Sequence, residues 1–182
     1  YFTRNNYINN TRKYDAKKNT NLKIYRAENV NGKWENVTEL PFNMDGYNTA
    51  HPTLSEDETT MYFASDRPGG FGGSDLWQIA IHPSGSFGGP VNMGADINTE
   101  ARETFPFVTP SGELYFSSDG RIGLGGLDVY ATKLDRNSKP GEIHNVGAPI
   151  NSNADDFAYY IDHNTKEGFF SSNREGGKGN DD

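Results

Sequence analysis

The chain has 182 residues and a net charge of −8, and although only 33% of it is hydrophobic it holds ten Tyr and eleven Phe. Such an aromatic load argues against disorder and for a thin β-rich core, because aromatic side chains bury large areas. The absence of cysteine excludes disulfide frameworks, thiolate metal sites and cysteine nucleophiles, the lack of an apolar run of about 18–20 residues excludes a spanning helix, and the acidic balance speaks against nucleic acid.

Charge is spread unevenly, +3 over residues 1–48 and −11 over the rest. Tyr1-Phe2-Thr3-Arg4-Asn5 reads as the middle of a strand. The chain therefore reads as part of something longer, and no signal peptide is expected within this segment. A strand follows at Leu22-Lys23-Ile24-Tyr25. Between the two lies 6–21, with Tyr7, Arg12, Lys13, Tyr14, Lys17 and Lys18. The next pattern is a strand at 51–54, a polar turn, Met61-Tyr62-Phe63-Ala64-Ser65-Asp66-Arg67, a glycine run, and Asp75-Leu76-Trp77. It recurs as Phe105-Pro106-Phe107-Val108, Leu114-Tyr115-Phe116-Ser117-Ser118-Asp119 and Asp128-Val129-Tyr130. A third copy is Phe157-Ala158-Tyr159-Tyr160-Ile161, Phe169-Phe170-Ser171-Ser172-Asn173-Arg174 and Asp182. Fourth strands are expected near 34–40, 87–93 and 143–146.

The spacing is regular. Phe63, Phe116 and Phe170 are 53 and 54 residues apart, as are Asp75, Asp128 and Asp182. The first copy carries nine extra residues, because Phe2 and Tyr25 are 23 apart where Phe63 and Trp77 are 14 apart. Asn92–Thr99 also resembles Asn145–Ser152. Four short strands in about 53 residues fit one propeller blade. Adjacent strand residues point to opposite faces, so the pairs Tyr62-Phe63, Tyr115-Phe116 and Phe169-Phe170 require both faces to be covered, as when blades stack. The expectation is an all-β chain, a partial β-propeller of four-stranded antiparallel blades: 1–48 a partial blade with the insertion, 49–98 and 99–151 whole blades, and 152–182 a partial one.

The run Tyr-Phe-x-Ser-Asp-Arg-x-Gly-Gly followed by Gly-Gly-x-Asp-Leu-Trp resembles the TolB-like (WD40-like) propeller repeat, especially the version in OmpA-family envelope proteins of Gram-negative bacteria. The resemblance covers nearly the whole chain. It implies a periplasmic, outer-membrane-associated propeller within a larger protein, in some members serving type IX secretion or gliding. It further implies protein partners in the cell envelope, no direct membrane insertion by this segment, and peptidoglycan contact only through domains elsewhere.

The recurring residues have two readings. Asp75, Asp128 and Asp182 behind glycine runs are expected to hold loop amides. The competing reading is calcium, which the motif fits poorly because the nine-residue period of calcium β-rolls is absent. Asp155, Asp156 and Asp162 read as a solvated turn before a cation site. Arg67 and Arg174, with Arg121 displaced by two, either pair with the Asp series or cover an aromatic face. Residues 55–59 faintly resemble a sialidase Asp-box turn. The four His are scattered, and no nucleophile elbow or phosphate loop occurs. No catalytic residue, metal or cofactor is therefore expected, and the chain reads as a non-catalytic interaction scaffold. Insertions in repeat proteins often lie on the binding face, which makes Tyr7, Arg12, Lys13, Tyr14, Lys17 and Lys18 the partner-binding candidates. The alternative is a carbohydrate- or peptidoglycan-binding propeller, with Trp34 and Trp77 as stacking platforms.

Overall fold

A computed structural model describes residues 1–8 and 11–182. Fifteen strands and no helix are present among the described residues. The first sheet joins β1 (Phe2–Asn5), β4 (Leu22–Val30) and β5 (Lys33–Glu39). A small hairpin, β2 (Tyr7–Ile8) with β3 (Thr11–Arg12), interrupts it between β1 and β4. The second sheet has the order β6 (Thr49–Leu54), β7 (Thr60–Ser65), β8 (Asp75–Ala80), β9 (Val91–Asn92). The third repeats it with β10 (Glu103–Val108), β11 (Glu113–Ser118), β12 (Asp128–Lys133) and β13 (His144–Asn145). The fourth pairs β14 (Asp156–Ile161) with β15 (Gly168–Ser172). All pairings within sheets are antiparallel.

The fourth strands are shorter than the apolar pattern suggests. Only two residues of β9 and β13 pair, and Phe87 and Pro140 make isolated bridges to Ile81 and Leu134. Glycines and prolines at 88–90 and 140–141 interrupt the ladder there. In the first sheet, by contrast, Asn31 and Gly32 both take positive φ (53° and 81°) and close a tight hairpin, which lets β5 run for seven residues.

Strand two explains how the sheets stack. Phe63 packs backward onto the first sheet, in a cluster with Ile24, Leu40, Phe42, Met61, Trp77 and Ile79. Its neighbours Tyr62 and Ala64 face forward and join Leu114, Phe116, Tyr130 and Leu134 of the third sheet. Tyr115 then meets Tyr159, ring centroids 4.8 Å apart, and Phe107 meets Tyr160 at 4.9 Å. The first two interfaces are thus apolar sandwiches between consecutive sheets, and the third is a half-buried contact of aromatic rings. The expected double coverage fails at one place: Phe169, on the forward face of the fourth sheet, is 75% exposed because no sheet covers it.

The first strands β6, β10 and β14 lie side by side. Each carries a bulge at which one residue takes the left-handed conformation: His51 (φ 56°), Phe105 (φ 49°) and Ala158 (φ 53°). Such backbone in a non-glycine residue costs on the order of 1–3 kcal/mol and persists only where packing enforces it. The enforcement here is a column of rings. His51 stacks on Phe105 at 3.9 Å, and Phe105 meets Phe157 at 5.1 Å.

Candidate interaction face

Each connection from strand two to strand three emerges at the same end of its sheet as the connection to the next sheet. That end collects the glycine loops, the hairpin at 6–21 and the linking segments around 43–48, 93–102 and 146–155.

The recurring aspartates organise the loops. Asp75 is buried at the first position of β8 and accepts the amides of Phe71 (2.6 Å) and Gly72 (3.1 Å) and the side-chain amide of Asn92 (2.6 Å). Asp128 accepts the amides of Leu124 and Gly125, and Asp182 those of Lys178 and Gly179. Glycine is required because neighbouring backbone closes in. A Cβ on Gly72 would stand 2.5 Å from the Thr99 carbonyl oxygen, and Gly125 is hemmed in by Ser152 and Ala154 in the same way. Gly72→Ala is therefore expected to destabilise the fold by about 1–3 kcal/mol, read as a lower urea midpoint. Gly89→Ala, whose Cβ meets nothing within 4 Å, is the control expected to leave it unchanged.

The recurring arginines do not pair with those aspartates. Arg67 is buried with its guanidinium over Phe63 (4.9 Å), Tyr47 (5.2 Å) and Trp77 (5.3 Å), and burial lowers its pKa. Arg121, despite its shift in sequence, covers Phe116 and Tyr130. Arg174 covers Phe170 and pairs with Asp156. Asp156 is no solvated turn. It is buried at the start of β14, and although burial raises its carboxyl, bonds from Ser172, Arg174 and Ser152 outweigh that and leave the pKa lowered. Asp155 instead accepts the Leu127 amide (2.8 Å), and Asp162 holds its own turn through the Asn164 amide (2.7 Å). The three carboxylates are thus committed separately.

One device escaped sequence reasoning. Asn98 accepts the Leu76 amide (2.7 Å) and donates to the Leu76 carbonyl (3.0 Å), as a paired backbone residue would. Asn151 does the same to Val129 (2.8 Å both ways), and Asn43 to Ile24 (3.1 and 2.7 Å). The matching segments 92–99 and 145–152 held the signal, because a repeated Asn inside an otherwise apolar motif needs a polar partner.

The first sheet departs from the others. Lys23 faces Glu39 and Asp45, each 2.8 Å away. In register, Lys23 and Glu39 stand where Asp75 and Asn92 stand in the second sheet. Lys23 has no acceptor atom with which to hold loop amides, and the hairpin supplies its own fastening. Asp15 accepts the amides of Lys17 and Asn19 at 2.8 Å each, and the Asn19 bond leads in lowering its pKa. Asn6 donates from its backbone to the Asn21 carbonyl (2.9 Å) and from its side chain to Asp45 (3.2 Å). The Arg12 guanidinium lies 5.8 Å from the Tyr7 ring centroid, and the neighbouring hydroxyls of Tyr7 and then Tyr14 raise its pKa. Of the candidates, Arg12, Lys13, Tyr14, Lys17 and Lys18 are exposed and Tyr7 is half-buried. Residues 9 and 10 of the insertion lie outside the described residues.

Between the second and third sheets, near their first strands, a cleft of about 310 Å³ opens, lined by Asn48, His51, Asp66, Ser74, Arg102 and Thr104 among others. His51 accepts or donates at Nδ1 to Thr104 Oγ1 (2.9 Å), and burial pushes its pKa down to about 4. The unfolded value is about 6.5, so the unfolded state binds the extra proton between those values. The stability contribution is complete above about pH 6.5 and is lost as pH falls towards 4. His51→Phe, which copies Phe105 at the matching bulge, is expected to gain melting temperature over the parent chain progressively across that window. A pH-independent difference would exclude the effect. At the other end of the sheets a cleft of about 400 Å³ is lined by the turns at 55–60, 109–112 and 134–138. Its carboxylates Asp57 and Asp135 are held by their own turns.

Trp77 cannot act as an exposed platform, because it is 6% exposed with its indole N–H on the Ser65 carbonyl (3.2 Å). Trp34 is 71% exposed, beside Tyr1, Phe2, Ala27 and Val37.

No protein-family profile and no curated protein matches the chain. Among solved structures it is similar to TolB from Acinetobacter baumannii, with a TM-score of 0.54 and 18% identity over 86% of this chain and 33% of that one. The chain spans about a third of that structure's length. Stacked antiparallel sheets and this likeness together give the conclusion that the chain has the TolB-like β-propeller fold.

Proposed function

We propose that the chain is a non-catalytic protein-interaction module of the cell envelope, acting in the periplasm as part of a larger outer-membrane-associated protein. The observation that carries this reading is the division of labour among its polar residues. Asp75, Asp128, Arg67, Arg174, Asn98 and Asn151 are all engaged in holding loops and sheets, whereas the first sheet's hairpin adds exposed Tyr14 and cationic side chains that form no ion pair among the described residues. The TolB-like fold and the repeat's resemblance to envelope proteins of the OmpA family support the location. That resemblance also makes secretion or gliding machinery of the type IX kind the first place to look for partners.

The test is cross-linking with mass spectrometry on the full protein in envelope extract. Cross-links from Lys13, Lys17 and Lys18 to a recurrent partner are expected. A partner linked solely through the opposite end of the sheets, or none, would reject the reading. Exposed Trp34 favours glycan binding as the second reading, and a muropeptide pull-down abolished by Trp34→Ala would turn the choice that way.

A further inference from the structure

The hairpin at 6–21 carries Arg12, Lys13, Lys17 and Lys18 against a single acid, Asp15. Among the described residues none of the four cations is paired with a carboxylate: the ion pairs are Lys23 with Glu39 and Asp45, Arg102 with Asp119, His163 with Glu113, and Arg174 with Asp156. Asp15 offsets one of the four charges, but its carboxylate is turned to the amides of Lys17 and Asn19 and not to a cation. The unbalanced charge sits on a fastened scaffold. Asn6, Asn21 and Asp45 tie down its base, and β2 and β3 pair Tyr7 with Arg12. Presenting charge on ordered backbone lowers the entropy lost on binding.

The remainder of the chain has the opposite sign, −11 over residues 49–182. A long polyanion or an extended anionic surface that reached the hairpin would also meet that field, and like charge opposes such an encounter. A short acidic stretch can occupy the hairpin alone. We infer that the hairpin receives a short Asp/Glu-rich segment of a protein partner, paired to Arg12, Lys13, Lys17 and Lys18. This rests on the interaction-module reading and names the chemistry of its partner. Tyr7 stands opposite Arg12 in the hairpin with its ring 5.8 Å from the guanidinium, which stays exposed for planar two-point pairing with a carboxylate.

The experiment uses the 182-residue chain and a fluorescein-labelled short poly-glutamate peptide, read by anisotropy. Binding is expected at low salt, and it should weaken severalfold towards 0.15 M salt, where the Debye length shortens to about 8 Å. Lys17→Glu/Lys18→Glu and Arg12→Glu/Lys13→Glu should each weaken it about tenfold or more. Lys139→Glu, in the turn at the far end of the third sheet, should leave it unchanged. Circular dichroism and melting temperature should match across all variants, since every altered side chain is exposed. No binding at low salt, binding insensitive to the reversals, or equally tight binding of oligo-dT or anionic lipid vesicles would overturn the inference. Retained cross-linking of an envelope partner by the reversed variants would overturn it too, while leaving the interaction-module reading intact.

Discussion

Phe116→Ala is expected to lower the unfolding free energy by about 3–5 kcal/mol, enough to unfold much of a marginally stable chain at ambient temperature. Phe116 is 1% exposed between the second and third sheets, stacked on Tyr130 at 5.9 Å and capped by Arg121. Truncation removes the centre of that sandwich and leaves Tyr62, Leu76 and Leu114 around a cavity. The matched control is Phe169→Ala, also on a second strand but facing solvent, where a change within about 0.5 kcal/mol is expected. Denaturant titrations of the two variants decide the matter. Comparable losses would mean that stacking through strand two does not hold the sheets together.

Asn98→Ala is expected to cost about 1–3 kcal/mol, because it leaves the buried amide of Leu76 without a partner, while the Leu76 carbonyl keeps the Met93 amide (3.1 Å). The side chain also donates to Asn92 (2.9 Å). A hydrogen-exchange readout separates this mechanism from simple loss of packing: the Leu76 amide should lose protection by far more than amides in the ladder between β7 and β8. If the Leu76 amide stays protected while global stability drops, the backbone-mimic account of Asn98 fails.

The stacked-sheet architecture was legible because its signal is local and repeated. Pairs such as Tyr62-Phe63 state that both faces of a strand are covered, and the spacing states how often. The glycine-and-aspartate loops were legible for a related reason, since a short loop with an acid at its end offers that acid few partners besides its own amides. The arginines left two readings open, because a cation four residues beyond an aromatic can reach that ring or a carboxylate of the recurring Asp series. Only the packing around Arg67 decides for the rings. The left-handed bulges at His51, Phe105 and Ala158 were hidden altogether: no glycine or asparagine marks them, and the ring column that enforces them comes from three sheets distant in sequence. At the candidate face, composition singled out the cationic insertion. It could not reveal that Asp15 turns its carboxylate to the amides of the loop and so stands apart from the cations.

The exchange of Asp75 and Asn92 for Lys23 and Glu39 in the first sheet has a consequence for engineering. A loop and the residue pair beneath it behave as one cassette. Transplanting the 6–21 hairpin onto the second sheet while keeping Asp75 would strand a carboxylate that has lost its amides, whereas carrying over Lys23, Glu39 and an equivalent of Asp45 would bring a self-sufficient socket. Chimeras of the two kinds should therefore differ in expression and melting temperature despite displaying the same graft.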